Sequence, residues 1–99
     1  MLKHMVIFKL KDSAEGTSKR ENALVLKSKL EGLQRAIKEV TKLEVGFPMS
    51  STADWDVALY SEFKNAKDLE VYQKHPEHMK VVEYINKVNL QARFVDYEV

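Results

Sequence analysis

The chain has 99 residues, no cysteine, and 16 basic against 15 acidic side chains for a formal net charge of +1. A length of this kind suits one domain, residues 1–99, and a domain so small buries only about two-thirds of the surface its unfolded chain exposes, so a partner subunit would help it. Missing thiols exclude disulfides, thiolate metal sites and cysteine nucleophiles, and the near-neutral charge supplies no long-range field to gather nucleic acid or an anionic membrane.

Lysines at 3, 9 and 11 interrupt the apolar N-terminus, which rules out a signal-peptide core or a membrane span there and leaves a soluble, cytoplasmic protein as the expectation. Leu2 to Lys11 alternates, with Leu2, His4, Val6, Phe8 and Leu10 on one face and Lys3, Met5, Ile7, Lys9 and Lys11 on the other. This is the period of a strand that is apolar on both sides at its middle. Asp12 to Thr17, with Gly16, reads as a loop. Thr17 or Ser18 then caps a helix, Glu21 being placed for a capping box on Ser18. The helix is expected to run to about Lys38 on an inner stripe of Ala23, Leu26, Leu30, Leu33 and Ile37, at the three- and four-residue steps of one helical face.

Val40 to Phe47 predicts a second strand ending near Pro48, and Met49 to Asp54 a connecting loop. Trp55 to Phe63 predicts a third strand, with Trp55, Val57, Leu59 and Phe63 alternating against Asp56, Ala58, Tyr60 and Glu62. Asn65 is placed to cap a short helix carrying Ala66, Leu69 and Tyr72 inward. Pro76 suits the first turn of another helix and disfavours helix at His75 before it, so two helices meet at His75. In the second of them Met79, Val82 and Ile85 are expected inward with Val81 and Val88 beside them, and His78 shares that side. Leu90 to Val99 is the last strand, with Ala92, Phe94 and Asp96 opposite Arg93, Val95, Tyr97 and Val99.

The order strand, helix, strand, strand, split helix, strand is an α+β, ferredoxin-like βαββ(αα)β pattern: a four-stranded antiparallel sheet with all helices on one face. Because the first, third and last strands carry bulky apolar residues on both sides, the other face would expose a contiguous apolar patch larger than soluble monomers usually tolerate. Something must cover it.

Titratable side chains gather in one stretch, Val-Tyr-Gln-Lys-His-Pro-Glu-His at 71–78. Together with the opening Leu-Lys-His-Met-Val-Ile-Phe at 2–8, it resembles the stress-responsive A/B barrel family of small dimeric α+β barrels. The resemblance implies a homodimer whose two sheets close into a barrel, and a pocket between helices and sheet. In family members acting on small molecules, such as the polyketide-cyclase branch, the tyrosine before the motif and the last histidine of His-Pro-x-His are associated with acid–base work. Those positions are Tyr72 and His78 here, the candidate catalytic residues. A neutral imidazole, with an ordinary pKa near ~6.5, can take a proton beside a carbonyl while a phenol donates a hydrogen bond to the carbonyl oxygen. Val57 stands where such an enzyme would be expected to place a polar pocket residue.

His4, His75 and Trp55 are candidate ligand contacts, and a small apolar or aromatic molecule is the candidate guest. Each residue also has a purely architectural reading. A histidine before proline bonds to backbone at a helix junction, a histidine on an apolar helix face is commonly a hydrogen-bonded core residue, and Tyr72 at the helical step after Leu69 reads as core. Neither a metal nor a nucleotide cofactor is expected: His75 and His78 straddle a helix start rather than sharing one helical face, and the three glycines form no phosphate loop. The aromatic signature of sheet-face RNA binding is absent. Three functions stand: a non-catalytic homodimeric binding module, an acid–base cyclase- or lyase-like enzyme using Tyr72 and His78, and a monooxygenase-like barrel with Trp55, Phe8 or the histidines lining its cavity.

Overall fold

A computed structural model describes residues 1–50 and 53–99; part of the loop expected at Met49 to Asp54 therefore lies outside the described residues. The first strand, β1 (Leu2–Leu10), leads into a miniature hairpin, β2 (Ser13–Ala14) and β3 (Thr17–Ser18), where the sequence reads as plain loop. The two corner residues, Glu15 and Gly16, have φ of 53° and 76°, the left-handed pair that a two-residue hairpin turn demands so that its twist matches the strands. Ser18 then caps α1 (Lys19–Ala36), its hydroxyl accepting from the Glu21 amide at 3.2 Å. The helix stops before the expected Lys38 because Ile37 turns extended, yet Ile37 remains buried.

The main sheet contains β4 (Val40–Gly46), β5 (Val57–Phe63) and β6 (Asn89–Glu98) in the order β4-β5-β1-β6, every pair antiparallel. Both middle strands are about as expected, but Phe47 lies just past β4, and Trp55 and Asp56 precede β5. A register shift beside Thr41 interrupts the β4–β5 ladder. There the Thr41 hydroxyl donates to Glu62 O at 2.8 Å.

Between β5 and β6 lie α2 (Ala66–Lys74) and α3 (Pro76–Val88), broken at His75. Asn65 caps α2 through Asp68 N at 2.9 Å. Ala66 falls in the exposed first turn, so Leu69 and Tyr72 alone carry the α2 face into the core. The α3 stripe also differs from expectation: Val81 and Val88 are buried with Tyr84 and Ile85 packed against the core, while Met79 is 49% exposed. Three-residue steps lag the helical repeat by about 60° each, so Met79, Val82 and Ile85 cannot share one face, whereas residues seven apart do.

The core is one cluster between α1, α2, α3 and the helix-facing side of the sheet, with Leu26, Leu30, Phe63, Ile37 and Val88 nearly inaccessible. Asn22 is buried among them with both ends of its side-chain amide bonded: Nδ2 donates to Ala14 O at 2.9 Å and Oδ1 accepts from the Tyr84 hydroxyl at 3.0 Å. It thus ties hairpin, α1 and α3 together. The helices lie over β4, β5 and β1 but leave the edge strand β6 uncovered, and Phe94, on the helix side, is 71% exposed. On the reverse of the sheet, Met5, Ile7, Ala58, Tyr60, Val95 and Tyr97 share one face by register, framed by a polar group in which Lys3 donates to the Tyr60 hydroxyl at 2.8 Å.

Candidate functional site

The break between α2 and α3 builds the site. His75 adopts an extended conformation, as a residue before proline should, and serves as cap for α3, its Nδ1 accepting from Glu77 N at 3.1 Å. One ring nitrogen of His75 is thereby committed to architecture. Pro76 takes the first position of α3, where no amide partner is needed, and one turn later His78 swings back over the end of α2.

His78 is half-buried and its Nδ1 meets Gln73 O at 3.0 Å. A carbonyl only accepts, so Nδ1 carries the hydrogen, and the neutral ring keeps its lone pair on Nε2. Burial lowers the pKa of His78 below the ordinary 6.5; the Gln73 carbonyl opposes this, and positive charge at His4 and His75 adds to the lowering. At neutral pH the ring is an uncharged acceptor.

Tyr72 packs its ring 4.6 Å from that of His78 and 5.0 Å from Phe63, centroid to centroid. Only 1% of Tyr72 is accessible, and its hydroxyl has no hydrogen-bond partner among the described residues. Burial alone drives its ionisation far above the ordinary value of 10, so the phenol stays protonated and is an unused donor. Leaving such a group unpaired costs about 1–3 kcal/mol.

His4 comes from the other side, on the inward face of β1. It is buried, its ring near Phe63 at 6.4 Å and Phe94 at 6.3 Å, and its Nδ1 pairs with the Asp96 carboxylate. Asp96 fixes which ring nitrogen of His4 holds the hydrogen, in the way that carboxylates orient imidazoles. Sequence reasoning placed His4 and Asp96 on their strand faces but not next to each other, because the pairing of His4 opposite Asp96 is set by the β1–β6 register. The structure thus brings Tyr72, His78, His4 and the missed Asp96 to one end of the fold.

Trp55 is not among them. It lies beyond the other end of β1, where Asp56 N donates to Phe8 O at 2.8 Å, and Lys9 stacks over its ring at 5.6 Å. Four residues of strand, about 13 Å, separate Phe8 from His4. Phe8 itself is buried in the core, and Val57, facing the same way, is buried too. Among the described residues no group of three His, Cys, Asp or Glu is arranged to hold a metal ion, and no helix is long and apolar enough to cross a membrane.

Comparison with solved structures finds the same fold repeatedly. A dimeric protein of unknown function with a ferredoxin-like fold from Bacteroides fragilis NCTC 9343 aligns with a TM-score of 0.85 and 36% identity, over 99% of this chain and 95% of that one. A Dabb family protein with a ferredoxin-like fold from Mesorhizobium loti maff303099 aligns with a TM-score of 0.77 and 22% identity, over 99% and 95%. A hydroxynitrile lyase from Passiflora edulis aligns with a TM-score of 0.82 but 14% identity, over 99% and 92%, a likeness of fold alone. No curated protein matches. The family model of the stress responsive A/B barrel domain matches residues 2–99. With the ferredoxin-like fold and the His-Pro-x-His break both in place, the chain belongs to the stress responsive A/B barrel domain family.

Proposed function

We propose that this protein is a homodimer that binds a small carbonyl compound with an apolar or aromatic body at the Tyr72–His78 site and moves a proton on it. The observation that carries the reading is the buried, unpartnered hydroxyl of Tyr72 beside a neutral His78. A donor left idle in the core is costly, and a ligand carbonyl would satisfy it. His78 Nε2 would then remove a proton from the carbon next to that carbonyl, and the Tyr72 hydroxyl would donate to the enolate oxygen as charge builds there. His4, held by Asp96, would back the Phe63 ring against Tyr72, and His75 would keep the helix junction in register.

Dimerisation is supported by the apolar reverse of the sheet and by the dimeric relative from Bacteroides fragilis. Two such faces packed together would hide Met5, Val95 and Tyr97, which stand well exposed in one protomer. A binding module without turnover, in which the Tyr72–His78 segment is architectural, is the second reading, favoured by the near-complete enclosure of Tyr72. The monooxygenase-like reading, with Trp55, Phe8 or the histidines lining a cavity, would have to use the histidines, because Trp55 lies at the opposite end of β1 and Phe8 is buried in the core.

Exchange of α-protons in heavy water, followed by proton NMR on a panel of aryl ketones and aldehydes, tests the proposal. Exchange above the buffer rate that vanishes in His78→Ala and falls at least about tenfold in Tyr72→Phe is expected. Saturable binding with no exchange would leave the second reading in place of the first. Neither binding nor exchange by any member of the panel would sink both.

A further inference from the structure

One depression on the protomer is remote from Tyr72 and His78. It encloses about 500 Å³ between the start of α1 and the segments that follow β4 and precede β5, within the size range of small-molecule sites. Its walls are of two kinds. Leu24, Phe47, Met49 and Trp55 make an apolar side, and Lys19, Arg20 and Asp56 a charged one. Lys27 stacks over the Phe47 ring at 5.3 Å and Lys9 over the Trp55 ring at 5.6 Å, so both aromatic rings are braced by cations.

The charges are not equally free. Asp56 accepts from Leu10 N at 2.8 Å and pairs with Lys19 at 3.6 Å, and Lys19 also reaches Asp12 at 3.5 Å. Arg20, by contrast, has no ion pair or hydrogen bond among the described residues, although it lines the same cavity. Two cations stand against one carboxylate in the lining, a surplus of one positive charge held by a planar fork whose geometry matches a carboxylate. A dianion would gain no second partner and would face Asp56.

We propose that this depression is a second ligand site, independent of the Tyr72–His78 pair, that takes a monocarboxylate carrying a flat apolar body. The carboxylate meets the Arg20 guanidinium, and the body lies among Leu24, Phe47, Met49 and Trp55. Solvent-exposed apolar side chains such as Phe47 and Met49 gain most from such cover.

Trp55 is the one tryptophan of the chain and reports directly on the site. Titrating the full chain with 3-phenylpropanoate, exciting where that probe does not absorb, should give a saturable change in emission with a dissociation constant of about 1 mM, as expected for a ligand of this size. The neutral 3-phenylpropanol should bind more weakly. Arg20→Ala should weaken the acid about tenfold and leave the alcohol unchanged, while Arg20→Lys should recover part of the loss. In the labelled protein, amide shifts should move at Arg20, Leu24, Phe47 and Trp55. A linear, unsaturable response, equal affinity for acid and alcohol, indifference to Arg20→Ala, or shifts confined to Tyr72 and His78 would each overturn the assignment.

Discussion

Replacing Tyr72 by phenylalanine deletes one oxygen that has no hydrogen-bond partner among the described residues. The usual cost of removing a buried hydroxyl is reversed here, since the penalty of an unpaired buried donor, about 1–3 kcal/mol, is relieved. Against that stands the space vacated by the oxygen; at about 24 cal/mol per Å³ a void of roughly 15 Å³ costs about 0.4 kcal/mol. The ring itself keeps its contacts with Phe63 and His78. Tyr72→Phe should therefore stabilise the fold by about 1 kcal/mol, or raise Tm by about 4–8 °C for a domain of this length, while lowering whatever activity the site has. Urea unfolding by circular dichroism reads the effect, with both proteins at the same concentration because self-association contributes to apparent stability. A loss of 1 kcal/mol or more would show that the hydroxyl is bonded in the native protein, and the argument for a ligand carbonyl would fall with it.

Burial holds the pKa of His78 below 6.5 in the folded protein, so the neutral ring stabilises the fold fully above that pH and the benefit is lost as pH falls through the depressed folded value. The gap in urea midpoint between wild type and His78→Gln should accordingly narrow on going from pH 7.5 to the acid side, and a gap independent of pH refutes the linkage. Glu15 adopts a left-handed backbone without being glycine or asparagine; Glu15→Asn should stabilise the hairpin by about 0.5–1 kcal/mol in thermal unfolding, its exposed pair with Lys87 being worth little. Met5→Asp places a charge in the middle of the apolar sheet face and should convert the proposed homodimer to monomer by light scattering, a mass unchanged from wild type arguing against this face as the interface. Asn22→Leu leaves the Tyr84 hydroxyl and the Ala14 carbonyl without their side-chain partner and should cost about 2–3 kcal/mol in urea unfolding, with a neutral result showing that the knot contributes nothing.

Much of the architecture can be read from residues close together in the chain, because the forces that set it are short in range. Ser18 and Asn65 cap helices through amides three residues on, Pro76 breaks the helical stretch at His75, and the stripe from Ala23 to Ile37 repeats at the helical period. The family resemblance also rests on short motifs, and with them Tyr72 and His78 were identifiable as neighbours across a helix junction. What local pattern could not supply was anything decided by the pairing of distant segments. The meeting of His4 with Asp96, 92 residues away, depends on the register of β1 against β6, and a slip of one residue would turn every side chain of the strand to the other face. The idle hydroxyl of Tyr72 depends on which atoms happen to surround it. Placing Trp55 at the far end of the sheet from the histidines depends on how β5 runs along β1. Local spacing chose the elements, whereas the chemistry offered by this protein arises where elements remote in sequence are packed together, since hydrogen-bond partners and buried surroundings exist only once the chain has closed on itself.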